Sequence, residues 1–132
     1  MKKVIALVMV ALIMLTGCAA ESSAPEHTME FIESKTMVID DQEYVALFYD
    51  YTNGSDETVI PCDQINVKAF QDGEELVVTV FTGEKMDGAV QCDTSIQGGA
   101  TAKIVWLFEK VDDSPVSVEM TDGQKFVVGE ES

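Results

Sequence analysis

Tyr44-Val45-Ala46-Leu47-Phe48-Tyr49-Asp50-Tyr51-Thr52 is the stretch on which the fold turns. It is rich in aromatic and β-branched residues, and its side chains alternate across a pleated strand. Val45, Leu47, Tyr49 and Tyr51 fall on one face; Tyr44, Ala46, Phe48 and Asp50 fall on the other. Both faces are largely apolar. The strand is therefore either covered on both sides or bears an aromatic patch suited to a protein or glycan partner. Asn53-Gly54-Ser55-Asp56 ends it, because these residues tolerate positive φ or bond back to their own backbone. Asn53-Gly54-Ser55 also has the form of a glycosylation acceptor.

Downstream, Thr58 to Cys62 reads as a short strand bent at Pro61, since proline cannot donate to a ladder. Ile65 to Gln71 alternates, and Asp72-Gly73 permits a tight reversal into Leu76 to Phe81, the clearest hairpin. Thr82 to Gly88 reads as a loop and Ala89 to Asp93 as a short strand. Gln97-Gly98-Gly99 then turns the chain into Ala102 to Phe108, the most apolar strand, which belongs at the centre of the core. An acidic loop, Lys110 to Pro115, precedes an alternating strand, Val116 to Met120, and Asp122-Gly123 turns into Lys125 to Val128. Upstream, Met29 to Glu33 and Thr36 to Ile39 are candidate first strands, joined to the opening stretch by Asp40-Asp41-Gln42. Beyond the first 17 residues no segment keeps an apolar period of 3.6. The expected fold is all-β: an immunoglobulin-like β-sandwich of about seven to nine antiparallel strands.

The N-terminus has a different logic. Met1-Lys2-Lys3 is cationic, and Val4 to Leu15 is an unbroken apolar run of 12 residues, short of the roughly 20 that span a bilayer. Thr16-Gly17 then precede Cys18, which is the plan of an export signal. Leu15-Thr16-Gly17-Cys18 resembles the lipobox of bacterial lipoproteins, and the resemblance implies cleavage before Cys18 and acylation of that residue. The expected organisation is a lipoprotein signal peptide over 1–17, a lipidated cysteine and flexible tether over 18–28, and the sandwich over 29–132. His27 falls in this tether, where a solvated linker histidine is expected.

The whole chain holds 8 lysines and no arginine against 24 acidic residues, and the leader takes two of those lysines with it. Such a surface repels nucleic acid and anionic lipid, both of which demand clustered cations. The membrane is engaged through lipid on Cys18 alone.

With Cys18 lipidated, Cys62 and Cys92 are the only pair left for an intramolecular bridge. Export permits disulfides, and a loop of this length would gain roughly 3–4 kcal/mol by the chain-entropy argument. The other reading is two buried reduced thiols, since spacing does not bring Cα atoms together. Two cysteines and one distant histidine lack the ligand count of a zinc site. A histidine-dependent triad has no partner placed for it, no G-x-S-x-G pattern occurs, and no carboxylate pair is singled out. Asp40-Asp41 and Asp112-Asp113 are weak calcium candidates without the spacing of a calcium loop. No catalytic residue, cofactor or metal site is expected.

Three stretches carry a family likeness: Thr52-Asn53-Gly54-Ser55-Asp56, Gln71-Asp72-Gly73-Glu74-Glu75-Leu76, and Ser95 to Glu119 with its glycine turn, apolar strand, acidic loop and Ser114-Pro115-Val116. Through them the chain resembles Gram-positive lipoproteins with an immunoglobulin-like domain, the family catalogued as domain of unknown function 5067. The resemblance implies an exported, lipid-anchored sandwich and no activity. Gly98-Gly99 stands where that pattern has Pro-Gly, which is expected to loosen the turn. Trp106 follows both Cys62 and Cys92, so any bridge differs from the antibody-type disulfide. The expected function is a surface-displayed, non-catalytic binding module; the alternative is a calcium-binding protein or a small carboxylate enzyme of the envelope.

Overall fold

The computed structural model describes residues 26–129. The expected leader, Cys18 and the tether up to residue 25 lie outside the described residues. Two sheets face one another. The first has the order β1-β2-β7-β5, from β1 (His27–Ile39), β2 (Gln42–Asn53), β7 (Thr101–Glu109) and β5 (Val78–Thr79), with β6 (Val90–Gln91) also pairing β7. The second has the order β4-β3-β8-β9, from β4 (Glu74–Glu75), β3 (Val67–Gln71), β8 (Val116–Met120) and β9 (Lys125–Val128). The expected all-β sandwich is what the chain forms. One pair departs from antiparallel order, since β6 runs parallel to β7.

β2 is covered on both faces. Val45, Leu47, Tyr49 and Tyr51 join Ile104, Trp106 and Phe108 of β7 and meet Val67, Ala69, Val116, Val118 and Met120 of the second sheet. On the outer side, Tyr44, Ala46 and Phe48 join Val105 and Leu107 in a separate cluster sealed by Phe81, Met86 and Ala89. Residues 81–93 thus form a flap over the outer face. The alternative of an aromatic surface patch on this strand is overturned, because Phe48 and Tyr49 are fully buried. Over Tyr44–Tyr49 and Ile104–Phe108 the two central strands are apolar at successive positions for the same reason.

Hairpin turns account for the paired acids. Asp40 and Asp41 have φ of 51° and 70° between the paired residues Ile39 and Gln42, and Asp72-Gly73 has 52° and 85° between Gln71 and Glu74. Consecutive positive φ is the type I′ geometry that Asp and Gly adopt and that matches strand twist. Asp87-Gly88 repeats it inside the flap, with Met86 and Ala89 exchanging backbone hydrogen bonds of 2.9 and 2.8 Å.

Several segments differ from the sequence reading. The two candidate first strands are one strand, β1, with a bulge between Phe31 and Glu33 that shifts its register against β2. Ile32 is the extra residue. Leu76 to Phe81 is no single strand: the chain leaves the second sheet after β4, buries Leu76, and crosses to the first sheet as β5. Thr58 to Cys62 gives only an isolated bridge, Val59 to Ile96, and then the helical turn α1 (Pro61–Gln64), with proline at its first position where no backbone donor is needed. Among the described residues no helix is long and apolar enough to cross a membrane.

Candidate functional site

Three loops are each fixed by a buried carboxamide. Asn53 Nδ2 donates to Glu57 O at 2.7 Å and to Ile96 O at 2.9 Å, and its Oδ1 accepts from Ser55 N at 3.0 Å. Gln71 Nε2 donates to Asp112 O at 3.0 Å and Ser114 O at 2.8 Å, while its Oε1 accepts from Val111 N at 2.8 Å. Gln91 Oε1 accepts from Phe81 N at 3.0 Å and its Nε2 donates to Glu84 O at 3.2 Å, which shapes the flap. Each amide supplies both a donor and acceptors where strand pairing has stopped. Asn53, the residue of the glycosylation pattern, has its side chain fully buried and engaged in this way.

The flap is latched from outside. Lys35 Nζ donates to Asp87 Oδ2 at 2.7 Å, Lys103 Nζ donates to Asp87 O at 3.4 Å, and the two ammonium groups lie 5.5 and 5.3 Å from the centroid of the Phe48 ring. The hydrogen bond to Lys35 lowers the Asp87 carboxyl below its ordinary value and raises Lys35 above its own. Both groups are exposed, so solvent screens the pair.

His27 is the first residue of β1 and not a free tether residue, so the first strand begins two residues before Met29. Tyr51 Oη and His27 Nδ1 share a hydrogen bond of 2.7 Å, and the rings stack at 6.0 Å. That engagement gives His27 a structural role at the strand end. The calcium candidates resolve as turn chemistry: Asp40-Asp41 form the I′ turn, and Asp112 Oδ1 accepts from Ser114 N at 2.8 Å, which lowers the Asp112 carboxyl. Among the described residues no group of three His, Cys, Asp or Glu side chains converges as metal ligands would.

Cys62 and Cys92 do come together. Cys62 N donates to Cys92 O at 3.2 Å, and both thiols are unbonded, each near enough to perturb the other's titration. Burial pushes both thiols upward, Cys92 more strongly, and Cys92 is 2% exposed.

A cleft of about 210 Å³ opens where β1 and the end of the second sheet part. It is lined by the apolar residues Val45, Val116 and Val128 and by Ser34, Thr36 and Ser114, the last of which donates its hydroxyl to Asp72 Oδ2 at 3.2 Å. Lys35, Lys110 and Asp113 flank it. Lys110 is held by Glu43, 3.7 Å away, so the cation is fixed beside the cleft. The sequence singled out Val45, Asp113, Ser114 and Val116 for other reasons but did not join them into a cleft, because the lining is scattered over β1, β2, the 110–115 loop, β8 and the end of β9. On the same side, Phe31 packs on Phe126 with centroids 4.5 Å apart, and Gln124 Nε2 donates to Met29 O at 3.1 Å, which closes the sandwich nearer the start of β1.

A two-sheet sandwich with a flap-covered outer face and a hydroxyl-lined cleft is the class of protein this geometry defines. The model of the family described as domain of unknown function (DUF5067) matches residues 26–122, and the chain belongs to that family. Among solved structures, a Staphylococcus aureus protein described as a candidate lipoprotein is similar at a TM-score of 0.62 and 14% identity, covering 77% of this chain and 82% of its own. At that identity the likeness speaks to the fold. The comparison with curated proteins gives no match.

Proposed function

We propose that this chain is an exported lipoprotein, held to the membrane by lipid on Cys18, whose sandwich serves as a non-catalytic interaction module with its contact site in the distal cleft. The observation that carries the reading is the run of β1. This strand enters at His27, at the tether end, and brings Ser34 and Thr36 to the cleft. At about 3.3 Å per residue, those side chains stand roughly 23–30 Å along the strand from its start. Tether and cleft are thus at opposite ends of one rigid element. The leader sequence, family membership and the description of the Staphylococcus aureus structure support the anchored setting. An apolar lining alongside hydroxyl groups and a fixed ammonium suits a polar chain, either a surface glycan or an extended protein segment.

Cell fractionation tests the anchor: wild-type protein partitions with the membrane, and Cys18→Ala is released or retained with its leader. A photo-crosslinker tests the cleft. Placed at Thr36 on living cells it should give an adduct, while the same group at Lys68, exposed on the outer face of the second sheet, should not. Equal adducts from both positions would overturn the cleft assignment.

A further inference from the structure

Cys62 opens the way to a covalent feature that the fold is arranged to accept. It is the second residue of α1, whereas Cys92 directly follows β6, the strand at the C-terminal end of the flap. A backbone hydrogen bond of 3.2 Å sets the two residues side by side, the kind of close approach that a disulfide, with its Cα span of about 4.4–6.8 Å, requires. Cys92 is buried in the main core and Cys62 packs against it from the edge, so the two thiols meet in apolar surroundings.

We propose that Cys62 and Cys92 form a disulfide that clamps the base of the flap to α1. This rests on the export reading, because an exported chain meets the disulfide donors that the cytoplasm lacks. The chemistry is thiol–disulfide exchange with the disulfide of an oxidised dithiol. The Cys62 thiolate, at the more exposed position, attacks one donor sulfur and expels the other as thiolate. The Cys92 thiolate then attacks Cys62 Sγ and releases the second donor thiolate. The protein loses two protons and two electrons, and the donor becomes a dithiol. Burial in the finished fold disfavours both thiolates, Cys92 more strongly, so the exchange runs before Cys92 is packed into the core, while Cys62 at the edge stays within reach of the donor.

The bond adds to a flap held by its apolar seal on Phe48 and by the Gln91 carboxamide, a flap whose strand pairing is short. β5 and β6 contribute two residues each to the edge of β7, and the exposed Lys35–Asp87 contact is its main outer latch. The clamp fixes the flap where that edge pairing ends.

The test uses the full chain isolated from the membrane of a Gram-positive host. Free thiols are alkylated in denaturant with and without prior reduction, and the peptides carrying Cys62 and Cys92 are weighed. Both should be unmodified before reduction and both alkylated after it. Alkylation of both without reduction overturns the inference in a chain that was exported. Should the chain remain in the cytoplasm, the anchoring reading fails instead, and the purified chain is then refolded with oxidised glutathione. A bridge formed there sustains the inference, and persistent free thiols end it. Reduction of the bridged protein should lower its Tm by on the order of 10–20 °C and speed amide exchange first in residues 81–93. In Cys92→Ala, Cys62 should instead be recovered as a mixed disulfide with glutathione; its failure to capture glutathione counts against the exchange.

Discussion

Phe48→Ala separates a covered outer face from a solvated one by its magnitude. The Phe48 ring is fully buried beneath residues 81–93, with Ala46, Val105 and Leu107 around it. Truncating a buried Phe costs about 3–5 kcal/mol, the spread reflecting how far the site collapses. A domain of about 100 residues shifts its Tm by roughly 4–8 °C per kcal/mol, so a loss on the order of 15 °C or more is expected. A solvent-facing aromatic would move stability by no more than about 0.5 kcal/mol. Thermal unfolding followed by circular dichroism reads the difference, with Leu47→Ala as the companion on the inner face. Both variants should be strongly destabilised, but only Phe48→Ala should first raise amide exchange in the flap, because its cluster is distinct from the main core. A Tm loss below about 4 °C for Phe48→Ala would refute the covered face.

Tyr49→Phe should leave Tm unchanged or raise it by a few degrees in the same melts, since Tyr49 Oη is buried with no protein partner and a lone buried hydroxyl costs about 1–3 kcal/mol. Gly98→Ala should lose about 1–3 kcal/mol by urea titration, because a Cβ there would stand 2.7–2.8 Å from the backbone of Ser55 and Asp56. Alkaline titration of the reduced protein has a definite sign. Burial raises Cys92 and Tyr49 above their ordinary values of 9.0 and 10.0, so the fold holds those protons more tightly than the unfolded chain. Their contribution is full below about pH 9 and declines as pH rises beyond it; the urea midpoint should fall accordingly, with a shallower slope in Cys92→Ala.

Legibility in the sequence followed the reach of the interactions. β7, β8 and β9 were readable because each repeats apolar and polar residues, or apolar residues throughout, over a whole strand. β1 read as two strands because the bulge at Ile32 breaks its alternation. Leu76 to Phe81 read as one because crossing between sheets leaves no mark on hydrophobicity. The flap read as a loop for a related reason: Phe81, Met86 and Ala89 cover Phe48 without forming a long strand of their own. Gly98-Gly99 read as a loosened turn, yet Gly98 is where the Ser55-Asp56 backbone lies too close for a Cβ, while Gly99 takes the positive φ of 82°. His27 reads as a solvated tether residue in the sequence because its partner, Tyr51, lies 24 residues away. The convergence of the cleft residues is hidden in the sequence for the same reason of distance.

Asn53, Gln71 and Gln91 keep their hydrogen-bonding pattern at any pH a cell surface meets, since carboxamides do not titrate there. The 24 acidic side chains supply nearly all the chain's variable charge, and acidification would discharge much of it. The groups that answer to the surroundings are therefore kept apart from the groups that hold the loops in shape. Such a domain can travel between neutral and acidic surroundings with its electrostatic coat rewritten and these three loop anchors intact.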